Sequence, residues 1–128
     1  DKQAVRLFKL SRIEGISLLT TDWKNADKHT EKRTDVFDWA YTGLVYHIRM
    51  DMSVKAITHF IEMYSLKSEQ DYYQINENEW RVDINVYSLE PAVGFYLSMA
   101  KEITIQDSEH ASMFKHAIRE YVNQYVLN

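Results

Sequence analysis

The sequence predicts an α+β fold in which a four-stranded antiparallel sheet is covered by two helices on one face, with a third helix at the C-terminal end. Two observations predict it. From residue 44 onward, segments that alternate apolar and polar residues and segments with helical apolar spacing follow one another in the order βαββαβα. The connections between these segments are short, which favours right-handed crossovers and a split βαβ arrangement.

The first four of these elements are three strands and one helix. Residues 44–50 form the first strand candidate, and Asp51 or Ser53 is suited to cap the helix that follows, because either side chain can accept a hydrogen bond from a backbone N–H. Residues 72–76 and 80–87 form a hairpin. The second arm alternates apolar and polar residues without a break, which predicts a strand buried on one face.

The last three elements are a helix over residues 89–100, a short strand over 101–106 and a helix that ends near residue 125. Pro91 falls in the first turn of the earlier helix, where its missing N–H costs no hydrogen bond. N-cap residues precede both helices: Ser88 for the first, and Asp107 or Ser108 for the second. This element order is that of a ferredoxin-like sandwich.

The segment before residue 44 has a different character. Residues 5–13 read VRLFKLSRI, and with residues 16–19 their alternation predicts one or two strands. Residues 20–35 are polar and charged, as in a linker or surface loop. Residues 35–43, DVFDWAYTG, predict a short helix or turn that is closed at Gly43.

Composition excludes several classes of protein. There is no cysteine, hence no disulfide, no thiolate metal site and no cysteine nucleophile. The N-terminal segment does not resemble a signal peptide, and no apolar run is long enough to cross a membrane, so we expect a soluble cytoplasmic protein. Residues 1–35 hold eight Lys/Arg and six Asp/Glu, whereas residues 36–128 hold seven and thirteen, so an anion contact is expected near the N-terminal end.

Sequence patterns for catalysis or metal binding are absent. The five histidines have no HxxxH or HExxH spacing, and the carboxylates show no spacing that selects an acid and base pair. There is no G-x-S-x-G and no glycine-rich phosphate loop. Tyr72, Tyr73 and Trp80 could stack on bases, but the surrounding charges are mostly acidic, which favours packing. We therefore expect no enzyme activity, no metal and no cofactor.

The cations of residues 5–13 allow two interpretations. In the first, they form the solvent side of an edge strand and prevent sheets from associating. In the second, Arg6 and Arg12 flank Phe8 and Leu10 on one strand face, and their guanidinium groups bind a phosphate or carboxylate on an apolar body. Composition alone leaves both open.

The stretch RLFKLSRIEGISLLTTDW resembles the closing strands of a WYL domain, which occurs in bacterial transcriptional regulators. That strand typically reads Arg-x-Phe-Arg-Leu-Asp-Arg-Ile. Lys9 stands where the family has an arginine, Ser11 where it has an aspartate, and Trp23 near the closing aromatic. The matching residues are Arg6, Phe8, Leu10, Arg12 and Ile13.

The remainder is similar to the WCX extension that follows the WYL domain in these regulators. The resemblance implies closing strands from an Sm-like barrel over residues 1–23, a linker and short helix over 24–43, and a WCX-type α+β domain over 44–128. Two departures are Ala100 or Lys101 at a usual glycine, and the lack of a proline before the last helix.

The resemblance implies an effector-sensing and dimerisation region, without the DNA-binding domain through which the intact regulator contacts DNA. Arg6, Arg12 and Lys9 are the expected contacts for an anionic effector, a nucleotide or nucleic acid, in the intact protein. A homodimer is expected, because Phe8, Leu10, Leu18 and Leu19 would lack their barrel partners. The alternative is a stand-alone ferredoxin-like module that binds a small molecule in a pocket lined by Trp80, Val82 and Ile84.

Overall fold

The computed structural model describes residues 10–22, 33–64 and 71–127. The chain divides into two compact units, Asp1–Arg33 and Thr34–Asn128. In the first unit Leu10–Arg12 form one turn of 3-10 helix, and residues 13–19 have no regular secondary structure. The prediction of strands is therefore wrong for residues 10–19, where alternation alone does not supply a pairing partner. Residues 5–9 lie outside the described residues.

The second unit confirms the predicted fold class. Its four strands are β1 Tyr46–Ser53, β2 Tyr72–Asn76, β3 Glu79–Val86 and β4 Ile103–Gln106. They lie in the order β2-β3-β1-β4, and every neighbouring pair is antiparallel, as in a ferredoxin-like sandwich. A π-helical turn, Val122–Val126, continues the last helix. The helices are α1 Val54–Met63, α2 Glu90–Ser98 and α3 Ala111–Tyr121.

Strand β1 divides the sheet into an apolar and a polar face. Three of its even-numbered residues, Ile48, Met50 and Met52, are fully buried and pair across the sheet with apolar residues of β3 and β4. Its odd-numbered residues are polar and pair with polar residues on the same two strands. The buried residues of α1 and α2, together with Phe114 of α3, join the core on the apolar face. The apolar pairs are Ile48 with Ile84, Met50 with Val82 and Ile105, and Met52 with Trp80 and Ile103.

The predicted N-cap of α1 is confirmed, whereas the N-caps of α2 and α3 differ from the predicted ones. The Ser53 hydroxyl accepts a hydrogen bond from the Ala56 N–H at 3.2 Å, as predicted, whereas Asp51 is still within β1. Helix α2 has Pro91 in its first turn, but Leu89 occupies its N-cap position. Helix α3 begins after His110, and the predicted cap Ser108 donates instead to the His47 carbonyl at 3.0 Å.

A turn held by Asp35 precedes β1. Its Oδ1 accepts from the N–H groups of Phe37 and Trp39, both at 2.9 Å, and its Oδ2 accepts from the Tyr87 N–H at 2.8 Å, next to the end of β3. Asp38 within this turn has the positive φ of 61°, which aspartate tolerates better than most residues. The predicted helix or turn over residues 35–43 is therefore a turn.

The Asp35 turn places an aromatic side chain in the core. The Phe37 ring lies 5.8 Å from Phe60 and 4.7 Å from Tyr64, both edge-on, and Phe60 meets Phe95 of α2 at 4.9 Å. Edge-on aromatic pairs at these distances stabilise the core beyond the effect of removing apolar surface from water. Residues before β1 thus complete the core between α1 and α2.

We predict that Asp35→Ala lowers the free energy of unfolding by about 3 kcal/mol, because three backbone N–H groups lose a charged acceptor. Asp35→Asn, which keeps the shape but removes one acceptor oxygen, gives an intermediate loss. Urea unfolding measures both. The control is Asp107→Ala, since that side chain is exposed and its loss changes stability by less than about 0.5 kcal/mol. Equal losses for Asp35→Ala and the control would refute this role.

Candidate functional site

The effector residues predicted from the sequence are only partly described. Arg6 and Lys9 lie outside the described residues. Arg12 ends the 3-10 turn of the first unit, where its side chain is exposed and makes no ion pair with a described residue. Their role as anion contacts therefore stays a prediction.

The apolar residues of the first unit are exposed where the structure describes them. Leu10, Leu18 and Leu19 expose 80%, 98% and 75% of their surface, and Ile16 exposes 85%. Phe8 lies outside the described residues. Exposure of this much apolar surface to water is unfavourable, and its burial against another surface would be stabilising.

The pocket that the alternative function requires is not formed at the predicted residues. Val82 and Ile84 are buried in the core, with exposures of 0% and 4%, and so cannot line a solvent-open cavity. Trp80 packs against this core, and its ring lies 5.9 Å from that of Tyr72. The packing interpretation of these two aromatics is confirmed, while Tyr73 is exposed on the opposite sheet face.

The polar face of the sheet carries a network centred on Asp51 in β1. Arg81 of β3 donates through Nε to Asp51 Oδ1 at 2.7 Å and through Nη2 to Oδ2 at 3.0 Å. Gln106 of β4 donates to the same Oδ2 at 2.8 Å. Asp51 is only 5% exposed, so these three bonds satisfy a carboxylate that is largely removed from water. Bonding to Asp51, with a further contribution from Tyr73, raises the pKa of the Arg81 guanidinium above its usual range.

A second carboxylate on this face, Asp83 of β3, joins two side chains of β1. Arg49 contacts Asp83 Oδ2 through Nε at 3.2 Å and Nη2 at 3.1 Å, and His47 Nε2 contacts Oδ1. Burial alone would raise the pKa of Asp83, but the hydrogen bonds from His47 and Arg49 outweigh it and lower the pKa. Arg49 also donates to the Asp107 carbonyl at 3.0 Å, which links the network to the chain between β4 and α3.

His110 connects the start of α3 to the start of β1. The His47 N–H donates to His110 Nδ1 at 2.9 Å, and the His110 N–H donates to the His47 carbonyl at 3.3 Å. The Tyr46 ring meets the His110 ring edge-on at 5.6 Å. These contacts fix the first turn of α3 beside the sheet. Sequence patterns do not show them, because the two histidines are 63 positions apart.

An open groove of about 440 Å³ lies between β4 and α3. Three isoleucines supply apolar lining, and two cations on α3 and a tyrosine on α2 add polar groups. The groove therefore offers apolar and polar surface in similar measure, which allows contacts of both kinds with a bound chain. The lining residues are Tyr96, Ile103, Thr104, Ile105, Lys115, Ile118 and Arg119.

Two further observations concern the residues that the structure describes. Over residues 10–22, 33–64 and 71–127, no three His, Asp or Glu side chains converge as metal ligands would. None of the helices in this part of the chain is long and apolar enough to cross a membrane. On the polar sheet face, Asp51 and Asp83 pair with Arg81 and Arg49. These hydrogen-bonded pairs support the sheet.

Comparison with known proteins gives no match to any family model, curated protein or solved structure. The fold assignment therefore depends on the strand order and helix placement described above. The similarity to WYL-domain regulators stays a prediction.

We predict that the contribution of Asp83 to stability is lost in acid. Its pKa is lowered in the folded state, so this contribution is present above the unfolded value of about 4 and disappears as the pH falls through the lower, folded value. Asp83→Asn should therefore flatten the loss of unfolding free energy below about pH 4. Denaturant unfolding from pH 2.5 to 6, with about one-unit steps, measures it.

Glu77→Gln, at the exposed turn between β2 and β3, controls for the removal of one negative charge. If Asp83→Asn and the wild-type chain lose stability in parallel through the acid range, the pairing with His47 and Arg49 contributes nothing.

Proposed function

We propose that the chain is the effector-sensing and dimerisation region of a bacterial transcriptional regulator of the WYL type. The observation that supports this best is the element order β1-α1-β2-β3-α2-β4-α3 in the second unit, folded as a ferredoxin-like sandwich with an added helix. That is the arrangement that the similarity to the WCX extension implies. In this proposal the DNA-binding domain and most of the WYL barrel belong to the intact regulator.

Dimerisation is supported by the exposed apolar residues of the first unit. Leu10, Ile16, Leu18 and Leu19 each expose three quarters or more of their surface. Covering apolar surface contributes about 25 cal/mol per Å², and a symmetric dimer covers the same residues twice. A second copy of the chain is the partner that the proposal requires.

Regulation in this proposal is a shift between dimer arrangements. Arg6, Lys9 and Arg12 contact an anionic effector such as a nucleotide, and guanidinium groups suit phosphate because their N–H groups form a planar fork. The effector changes the population only by the difference in its affinity for the two arrangements. A different arrangement changes the spacing of the DNA-binding domains in the intact regulator.

The alternative is a stand-alone ferredoxin-like module that binds a small molecule and has no role in transcription. The groove between β4 and α3 favours it, since it combines apolar lining with Lys115 and Arg119. The pocket first expected for this alternative, at Val82 and Ile84, is filled by the core.

We predict that the 128-residue chain sediments as a dimer between about 10 and 500 µM, because mass action favours association over this range. The double variant Leu10→Ser, Leu18→Ser should shift the equilibrium toward monomer by at least about tenfold, since both side chains lose apolar area. Val54→Ser is the control, because Val54 is half-exposed on α1 in the other unit. A chain that is strictly monomeric over this range contradicts the proposal.

We also predict that this chain alone binds nucleotides weakly, with a dissociation constant above about 1 mM for ATP by calorimetry. In this proposal three basic residues contact the anion, but the other walls of the site belong to the barrel of the intact regulator. Micromolar binding that Arg12→Ala abolishes would show a complete site within these residues and would favour the stand-alone module.

A further inference from the structure

Strand β4 lies at the edge of the described sheet. In the order β2-β3-β1-β4 it pairs with β1 on one side, and no described strand pairs with its other side. Every second residue of such a strand directs its N–H and C=O away from the sheet. These groups offer main-chain hydrogen bonds to an added strand, which is a recurring mode of peptide binding.

The groove follows this edge. Three consecutive residues of β4 line it, Ile103, Thr104 and Ile105. Ile103 and Ile105 pair with Met52 and Met50 on the core face, whereas Thr104 pairs with Asp51 on the polar face. Because residues from both faces line the groove, it extends along the strand edge itself, with α3 as its other wall.

The α3 wall is cationic. Lys115 and Arg119 are one helical turn apart, are exposed, and form no ion pair with a described residue. Two carboxylates of this region already have partners: Glu120 lies 3.7 Å from His116, and Glu109 lies 3.8 Å from His110. Two unpaired cations beside a strand edge with an apolar floor complement an extended anionic chain.

We propose that an acidic, extended peptide segment of another protein binds in this groove as a fifth strand beside β4. Its main chain pairs with the outer edge of β4. Its acidic side chains lie on the α3 side and contact Lys115 and Arg119, and the alternate side chains lie beside Thr104 on the other face of the sheet. This site is separate from the predicted effector residues, and it holds whether or not the chain belongs to a transcriptional regulator.

A second copy of this chain is a poorer occupant of the same edge. Symmetric antiparallel pairing of two β4 strands would place both helix layers on one face of a continuous sheet, with the two α3 helices adjacent. Lys115 and Arg119 of both copies would then approach one another, and like charges oppose the pairing. β4 has four residues, so few main-chain bonds are available to offset this repulsion.

The test uses a labelled peptide of about seven residues that alternates Glu and Val, with fluorescence anisotropy as the measurement. Binding to the 128-residue chain should weaken by at least about tenfold for the double variant Lys115→Glu, Arg119→Glu, and should fall as salt is raised. Lys55→Glu, the charge reversal of an exposed cation on α1, is the control, and each single variant Lys115→Glu and Arg119→Glu is compared with it. A peptide with Lys in place of Glu should not bind.

Main-chain pairing has its own signature. In one version of the peptide every Val is N-methylated, and in another every Glu is. Only one set of alternate N–H groups faces β4 in an added strand, so one version should lose binding and the other should keep it. Equal binding by both versions, or equal loss in both, overturns strand addition. So does equal binding to the Lys115→Glu, Arg119→Glu variant and to the Lys55→Glu control.

Sedimentation of the same variants tests whether a second copy of the chain occupies the groove instead. The Lys115→Glu, Arg119→Glu variant should keep the oligomeric state of the wild-type chain. If it dissociates a dimer that Lys55→Glu leaves intact, the groove is an interface between copies and the peptide proposal fails. Circular dichroism checks that each variant retains the fold.

Discussion

The structure of the second unit depends on the buried carboxylate of Asp51 in β1. Because β1 lies between β3 and β4, this one side chain receives Arg81 from one neighbour and Gln106 from the other. A carboxylate at 5% exposure is costly without such donors, so the three strands are held in one register on the polar face. On the opposite face, Met50 and Met52 connect the same three strands within the core.

This arrangement has consequences for the edge of the sheet. Asp51 and Gln106 hold β4 against β1, and His110 holds the first turn of α3 against the start of β1. The groove between β4 and α3 exists because both walls are fixed to the same central strand. The peptide site that we propose for this unit is therefore an edge and a helix, whereas the polar face supports them through internally paired charges.

Much of the second unit could be predicted from sequence, because its signals are local. Unbroken alternation located β3, and the Ser53 hydroxyl located the start of α1. Other features depend on partners far away in the chain: Asp35 bonds Tyr87, and His110 bonds His47. The groove could not be predicted from sequence for the same reason, since Lys115 and Arg119 line it only because α3 lies beside β4. Residues 10–19 show the converse, because they alternate in sequence but pair with no described strand and form none.

The most direct test of these relations is amide hydrogen exchange followed by NMR. If β1 holds the sheet and the outer edge of β4 is free, the amides of Ile48, Met50 and Met52 should exchange only through global unfolding. Within β4, alternate amides should then exchange fast and slowly, since only one set faces β1. Uniformly slow exchange along β4, or exchange of β1 amides through local opening well below the global free energy of unfolding, would contradict this description.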